Sequence, residues 1–231
     1  MMKEMLTNSV FFGVAITLIA FAFGNWCKSK FKVAVFNPLL IGIVVVILLL
    51  LALDIDYSVY NEGAKYISYL LTPATVSLAI PLYERVGLLK KNFKAVILGI
   101  ISGVLTSLVS VLMLCIAFGM SHEEYVSLLP KSITTAIGMG VSEELGGYVT
   151  ITVAVIIITG IFGNMTAPFL CRLFKIEEPI AKGVGIGCAA HAMGTSKAME
   201  MGEIEGAMSS LSLAVVGLLT VVGASVFAGF M

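Results

Sequence analysis

The chain has 231 residues, of which 59% are hydrophobic and 12% charged, and its basic and acidic residues balance to a net charge of zero. Soluble domains carry about 25% charged residues, so the composition excludes an ordinary soluble domain. It also offers no basic surface for nucleic acid. Five apolar runs are each long enough to cross a bilayer as a helix. They predict an all-α polytopic membrane protein in one integral membrane domain, 1–231, and cover 9–26, 33–53, 95–118, 148–170 and 207–230.

The first run, 9–26, is predicted to be a retained span, because no basic region precedes it and no small-residue cleavage site follows. Clusters of charge alternate farther along: basic at 28–32, 85–94 and 172–182, acidic at 54–62, 121–124 and 203–205. The positive-inside rule puts the basic clusters in the cytoplasm and leaves the acidic ones outside. This topology has about seven crossings, with the N-terminus outside and the C-terminus in the cytoplasm.

Two of these crossings must use short, interrupted segments, 66–83 and 184–201. The segment 128–146 is predicted to be re-entrant, entering and leaving on the outer side. The chain then divides into two halves of opposite direction, repeat 1 (33–118) and repeat 2 (128–230), each with one broken helix. Interrupted segments in corresponding positions of inverted repeats are typical of the binding sites of transporters.

The first broken segment contains "TPATVSLAIP" at 72–81. Thr72 can cap a helix whose first residue is Pro73, and Pro81 interrupts or ends it. The amino end of such a helix, at membrane depth, attracts an anion, and Thr72, Thr75 and Ser77 add hydroxyl donors. The alternative is a proline kink whose free carbonyls accept hydrogen bonds from the same hydroxyls.

The second broken segment contains "CAAHAMGTSKAME" at 188–200. Gly194 offers a break, after which Thr195 or Ser196 can cap a new helix. Lys197 would lie in the first turn, where a cation opposes the helix dipole, so we expect an anion or a carboxylate beside it. Lys197 could instead extend towards the membrane surface. His191 has two interpretations: a ring that hydrogen-bonds a backbone carbonyl, or a group that binds substrate or a proton.

The predicted re-entrant segment has hydroxyls and glycines suited to lining a cavity. Its polar residues include Lys131, Ser132, Thr134, Thr135, Glu143 and Glu144. In the alternative interpretation, Ser142 caps the following helix, and the two glutamates complement the amino end of that helix.

Taken in order, the segments 73–83, 130–147 and 191–200 resemble the LrgB/CidB family of bacterial membrane proteins, and the resemblance covers nearly the whole chain. Members were named as antiholin-like modulators of murein hydrolase activity and usually accompany a small LrgA/CidA partner. Plant relatives resemble a chloroplast glycolate/glycerate transporter, and bacterial pairs have been linked to pyruvate uptake. The matching positions are Pro73, Ala74, Thr75, Pro130, Lys131, Ser132, Thr134, Thr135, His191, Gly194 and Thr195, with Glu143 a looser match. This chain departs from the family pattern at Ala136, Ser196 and Lys197.

The resemblance and the broken helices together predict a secondary transporter of small monocarboxylates, glycolate-like or pyruvate-like and proton-coupled, in the bacterial inner membrane. Its predicted substrate-binding residues are Thr72, Thr75, Ser77, Ser132, Thr134, Thr135, His191, Gly194, Thr195, Ser196 and Lys197. The candidates for proton coupling are His191, Glu143 and Lys197. The alternative function is an antiholin-like regulator of murein hydrolase activity and cell lysis that acts with an LrgA/CidA-type partner.

No motif predicts an enzyme, a cofactor or a metal site. The chain is small for an independent carrier. We therefore expect either a homodimer or a complex with an LrgA/CidA-type partner in the lipid bilayer.

Overall fold

The computed structural model describes residues 9, 11–31, 36–77 and 79–231, and throughout these residues the regular structure is helical. Its α-helices are α1 (Phe12–Phe31), α2 (Pro38–Ala52), α3 (Tyr57–Ser68), α4 (Leu71–Ser77), α5 (Ala79–Glu84), α6 (Val86–Phe118), α7 (His122–Leu128), α8 (Thr135–Glu144), α9 (Val149–Leu173), α10 (Pro179–Met201) and α11 (Glu203–Phe227). Within the described part, α1, α6, α9 and α11 are long and apolar enough to cross a membrane. The chain is a helical polytopic membrane protein, as predicted.

The helices group into two compact units, 1–77 and 78–231, so the predicted repeat 1 straddles the boundary between them. In the first unit, Asn37 caps α2 by accepting hydrogen bonds from the N–H groups of Leu39 and Leu40. α1 and α2 are antiparallel, since Gly24 contacts Pro38 while Gly42 contacts Phe21.

The second unit has an apolar core built mainly from α6, α7, α10 and α11. α6 ends at Gly119, whose φ of +63° gives the left-handed conformation that favours glycine at this position. Ser121 and Glu124 then form a capping box that starts α7. These two signals turn the chain sharply after the long helix.

One end of the second unit carries Arg85, Arg172 and Lys182, and we call it the basic end. Arg85, just before α6, pairs with Glu203 at the start of α11. Lys182 in the first turn of α10 lies 4.0 Å from Glu205. Lys182 and Glu205 line a surface pocket together with Arg172, near the end of α9. The starts of α6, α10 and α11 and the end of α9 therefore lie together.

The opposite end, which we call the far end, gathers the ends of α6 and α11 and the start of α7. The ring atom Nδ1 of His122 lies 2.7 Å from the carbonyl oxygen of Met231. The Tyr125 hydroxyl donates to the carbonyl of Phe227 over 2.9 Å. α6 and α11 therefore run parallel.

α10 does not run straight through the unit but folds back on itself as a helical hairpin, which we call hairpin 2 (Pro179–Met201). Its backbone leaves helical geometry at Ala190 and His191, where His191 has φ +41° and ψ −141°. A Cβ atom added at Gly194 would lie 3.1 Å from the carbonyl oxygen of Ile186. Eight residues of straight helix would separate these positions by about 12 Å, so the two arms must be antiparallel.

Both ends of hairpin 2 lie at the basic end. Gly187 of the first arm contacts Ser209 and Ser212 of α11, and Gly183 contacts Glu205 and Met208, so this arm is parallel to α11. The second arm returns to Met201, which lines the same pocket as Lys182. Residues 184–201 therefore do not cross the unit, and the predicted crossing is wrong.

The tip of hairpin 2 (190–193) lies halfway along α9. The Asn164 side-chain amide donates to the carbonyl of Met193 over 2.8 Å. Gly163 contacts Ala190, and a Cβ atom at Gly160 would lie 2.5 Å from Cε1 of the His191 ring. Because Gly160 and Gly163 are near the centre of Val149–Leu173, the tip lies at mid-depth.

A second hairpin, which we call hairpin 1 (121–147), enters from the far end. It descends through α7 to Ser132, whose hydroxyl lies 3.3 Å from that of Ser107 in the middle of α6. It returns through α8, which is antiparallel to α9: Gly138 contacts Ile156, and the Ser142 hydroxyl lies 2.7 Å from that of Thr152. Hairpin 1 contains the segment 128–146 that the sequence predicts to be re-entrant.

The hairpins correct the predicted topology. The sequence places 203–205 on the opposite side from the basic clusters, yet Glu203 pairs with Arg85. It also separates 121–124 from the C-terminus, yet His122 contacts Met231. Both errors arise because hairpin 2 adds no crossing. The charge pattern does not reveal this, since acidic loops carry little topological information. Which end faces the cytoplasm stays a prediction.

Candidate functional site

The tip of hairpin 1 and the first arm of hairpin 2 flank a polar cleft of about 460 Å³ in the second unit. One wall is the middle of α6, and the others are the tip of hairpin 1, at Lys131 and Ser132, and the first arm of hairpin 2, just before its tip. The residues lining it are Gly99, Ser102, Gly103, Thr106, Ser107, Ser110, Lys131, Ser132, Gly185, Cys188 and Ala189.

Small residues allow α6 and hairpin 2 to approach closely at the base of the cleft. A Cβ atom at Gly103 would lie 3.0 Å from the Cβ atom of Cys188, and one at Gly99 would lie 3.2 Å from Cγ1 of Val184. α6 and the first arm of hairpin 2 therefore pack in parallel. The sequence "GIISG" serves this packing, which agrees with the usual role of small residues in membrane helices.

Lys131 supplies the charge of the cleft. Its ammonium donates to the Ser132 hydroxyl over 2.9 Å, and that hydroxyl lies 3.3 Å from the Ser107 hydroxyl. Among the residues that line the cleft, Lys131 has the only basic side chain. Within the described residues it forms no ion pair.

The sequence prediction missed the hydroxyl groups of α6, although their spacing indicates that they share one face of the helix. Ser102, Thr106 and Ser110 recur at intervals of four in an otherwise apolar span, so they lie on one helical face. A hydroxyl stripe along a spanning helix could have identified this wall of the site.

His191 contacts the backbone of α9 rather than the cleft. Its Nε2 atom lies 2.9 Å from the carbonyl oxygen of Ile156, and the side chain is buried. The predicted contact between the His191 ring and a backbone carbonyl is therefore confirmed. A positive φ is unusual for a residue other than glycine, so this contact holds a strained turn.

The predicted break in 188–200 lies at the wrong residue. Gly194 and Thr195 are buried inside the second arm of hairpin 2, which starts before them. Thr195 does not cap that arm: its hydroxyl lies 3.0 Å from the His191 carbonyl and 2.9 Å from the Ser209 hydroxyl. Ser196 is exposed. Lys197 pairs with Glu200 over 2.7 Å, not with a carboxylate of the re-entrant segment.

In hairpin 1, Ser132 is the only residue of the predicted binding set that lines the cleft. Thr134 is the cap residue of α8 but makes no side-chain cap bond, and Thr135 is the first residue of that helix. Glu143 is exposed at the end of α8. The predicted cap at Ser142 is wrong, because α9 starts after Tyr148 and Ser142 is bonded inside the hairpin.

The first broken segment is described only in part. α4 starts at Leu71 rather than Pro73, so the predicted helix start is displaced by two residues. The side chains of Thr72 and Thr75 lie outside the described part of the structure. The Ser77 hydroxyl donates to the carbonyl of Pro73 over 2.8 Å, as the kink interpretation expects.

Elsewhere in the second unit, polar groups satisfy one another. The Thr152 hydroxyl lies 2.9 Å from the Ser127 carbonyl as well as close to Ser142, and Tyr148 N–H donates to the Ser127 hydroxyl over 2.7 Å. Among the described residues, no buried side-chain nitrogen or oxygen lacks a partner. The same residues contain no group of three or more His, Cys, Asp or Glu that could hold a metal ion.

Comparison with known proteins matches residues 17–230 to the LrgB-like family. The chain is 36% identical over 225 residues to the antiholin-like protein LrgB of Bacillus mycoides (strain KBAB4), and this alignment covers 97% of the chain and 98% of the relative. Bacillus cereus (strain B4264) and Bacillus anthracis (strain CDC 684 / NRRL 3495) have relatives of the same name, identity and coverage. The search of solved structures returned no match. The chain belongs to the LrgB-like family.

Proposed function

We propose that this chain is a secondary transporter of small monocarboxylates of the glycolate or pyruvate class, in a bacterial inner membrane. One observation carries the proposal: two hairpins enter from opposite ends and reach mid-depth, where the tip of hairpin 1 and the first arm of hairpin 2 line one polar cleft. Transporters use interrupted helices at the midplane to bind substrate. Irregular backbone at that depth is tolerated only where protein buries it or where it lines a cavity.

In this proposal each hairpin closes the cleft towards the end from which it enters. Displacement of one tip at a time would expose the cleft to one side of the membrane and then to the other. Of the three candidates for proton coupling, His191 is the one at the tip of a hairpin, whereas Glu143 is exposed and Lys197 is paired with Glu200. Coupling to a proton gradient is part of the proposal.

The test is uptake of labelled glycolate and pyruvate into proteoliposomes that contain the purified chain, with and without an inward proton gradient. Empty liposomes and liposomes with a Gly163→Leu variant are the controls, because a side chain at Gly163 collides with Ala190 at the hairpin tip. We expect saturable uptake that the gradient stimulates and that the variant lacks. Equal uptake in all preparations, even after an LrgA/CidA-type partner is added, would exclude the transporter function.

A second candidate function follows from the names of the relatives, which are called antiholin-like. These names favour a regulator of murein hydrolase activity and cell lysis, whereas the paired hairpins favour a carrier. The two functions separate in cells that express the wild-type chain or the Gly163→Leu variant, with an LrgA/CidA-type partner. If only regulation operates, the chain alters the rate of autolysis without any carboxylate uptake in liposomes.

A further inference from the structure

We propose that the cleft between α6, the tip of hairpin 1 and the first arm of hairpin 2 binds one small organic monoanion, whose carboxylate pairs with the Lys131 ammonium while the hydroxyls of Thr106 and Ser110 donate to its oxygens. The residues of the site come from α6 and hairpin 1 together. The binding site is inferred from the geometry of the cleft. Its identification as the transport site rests on the proposed function.

The lysine in the lining of the cleft favours an anionic ligand. Lys131 is the one basic side chain of the lining, and its bonded neighbour, Ser132, is neutral. An ionised group at membrane depth is costly unless it is paired or hydrated. A bound carboxylate would supply the pairing that the described residues do not provide.

Two hydroxyls of the cleft differ from several other hydroxyls in the spans, which are bonded to their own helix. Ser210, Ser212 and Thr166 each donate to the carbonyl four residues earlier in the same helix. Among the described residues, neither Thr106 nor Ser110 forms a side-chain hydrogen bond, although both line the cleft. Both hydroxyls therefore keep a donor that no described residue of the chain accepts.

The size and charge of the cleft define the class of ligand. Its volume of about 460 Å³ falls in the range of roughly 300–1,000 Å³ found for small-molecule sites. One cation neutralises a monocarboxylate, whereas a dicarboxylate would leave a net negative charge at mid-depth. We expect pyruvate, glycolate and lactate to bind and the dianions malonate and oxalate to bind at least tenfold more weakly.

Binding is measured on the full-length chain in detergent by isothermal titration calorimetry with sodium pyruvate, independently of transport. The variants are Lys131→Gln, Lys131→Arg and the double variant Thr106→Val, Ser110→Ala. Lys94→Gln is the matched control, since it removes the same charge from an exposed position of α6 outside the cleft. Thermal unfolding of each variant verifies its fold.

We expect Lys131→Gln to raise the dissociation constant of pyruvate at least tenfold, the double variant to raise it about threefold to tenfold, and Lys131→Arg and Lys94→Gln to change it less than threefold. If Lys131→Gln does not fold, the double variant and Lys131→Arg decide the same question. Unchanged binding in the lysine-neutral and hydroxyl-deficient variants would overturn the site, as would equal binding of malonate.

Failure of the site is distinguishable from failure of the proposed function. Uptake without saturable binding that depends on Lys131 would leave the chain a transporter and overturn this site. Binding that depends on Lys131 without uptake, even after an LrgA/CidA-type partner is added, would support the site and overturn transport, making the cleft an anion sensor. Neither binding nor uptake by the wild-type chain, alone or with that partner, would overturn both.

Discussion

The Nε2 atom of His191 lies 2.9 Å from the carbonyl oxygen of Ile156, and this contact joins the tip of hairpin 2 to the middle of α9. In helix α9 the same carbonyl is also the expected acceptor for the backbone N–H of Gly160. The absence of a side chain at Gly160 makes room for the imidazole ring. His191 is 35 residues from Ile156 in the sequence. The contact therefore fixes the position of a turn that no local helical bond could hold.

His191→Ala should destabilise the chain by about 2–4 kcal/mol, because it removes a buried ring and the hydrogen bond that the ring makes. Chemical unfolding in detergent, followed by circular dichroism, measures the loss. His122→Ala is the control, since that histidine is exposed in its contact with Met231. If both histidine variants lost stability equally, the special role of the tip contact would be excluded.

Gly160→Ala should disturb the same tip through overpacking. The added Cβ would lie 2.6 Å from Nε2 of His191 and 2.8 Å from the sulfur of Met193, so the tip must move at a cost of about 1–3 kcal/mol. Gly140→Ala in α8 is the matched control, because nothing lies within 4 Å of its added Cβ. Alanine favours a helix over glycine, so the control should be neutral or stabilising by up to about 1 kcal/mol. Thermal unfolding of the two variants gives the comparison, and equal melting temperatures would contradict the packing of the tip.

The fold of hairpin 2 predicts a cross-link that a straight helix forbids. Ile186 and Ala198 lie in one buried cluster, although 12 residues of continuous helix would separate them by about 18 Å. Cysteines at these positions, in a chain without its native cysteines, should form a disulfide on mild oxidation. The readout is protection of both thiols from a maleimide mass tag.

The control pair for this cross-link is Leu211→Cys with Gly223→Cys, which has the same spacing within α11. These two positions are too far apart along a straight helix to form a disulfide, so oxidation should leave the reactivity of their thiols unchanged. Equal reactivity of the thiols in both pairs would mean that 179–201 is a single crossing helix.

Much of the helical framework could be predicted from the sequence, because apolar runs of membrane length dominate composition and hydropathy. The hairpin of α10 could not, since its turn falls at Ala190 and His191, neither of which favours a break, while Gly194 lies inside a helix. Gly194 instead allows the close approach of Ile186. A glycine in a membrane helix can either interrupt the helix or allow a neighbouring segment to pack closely, and the local sequence does not distinguish the two roles.

The site was predicted in part for a similar reason. Ser132 belongs to a polar segment that looks unusual in an apolar chain, so it was identified. Thr106 and Ser110 are ordinary residues for a spanning helix and become notable only when hairpin 1 brings Lys131 to the same cleft. Long-range pairing of this kind requires the tertiary structure.

Thr152→Val should weaken the packing of hairpin 1 against α9. The Thr152 hydroxyl lies 2.7 Å from that of Ser142 and 2.9 Å from the Ser127 carbonyl, so valine leaves buried polar groups without a partner. We expect a loss of about 1–3 kcal/mol in chemical unfolding. Thr166→Val, the control, removes an exposed hydroxyl bonded within its own helix and should cost less than about 0.5 kcal/mol. A loss no greater at Thr152 than at Thr166 would contradict this role of the hydroxyl network.

The parallel arrangement of α6 and α11 makes a prediction about topology that separates the structure from the charge pattern. Ser121 and Gly229 lie at the far end and Glu203 at the basic end, beside Arg85. If the basic end is cytoplasmic, as the positive-inside rule expects, single cysteines at 121 and 229 should react with a membrane-impermeant maleimide added to intact cells. A cysteine at 203 should react only after the cells are permeabilised. The charge pattern of the loops alone predicts labelling at 203 and protection at 229, so this reversed pattern would show that 184–201 crosses the membrane.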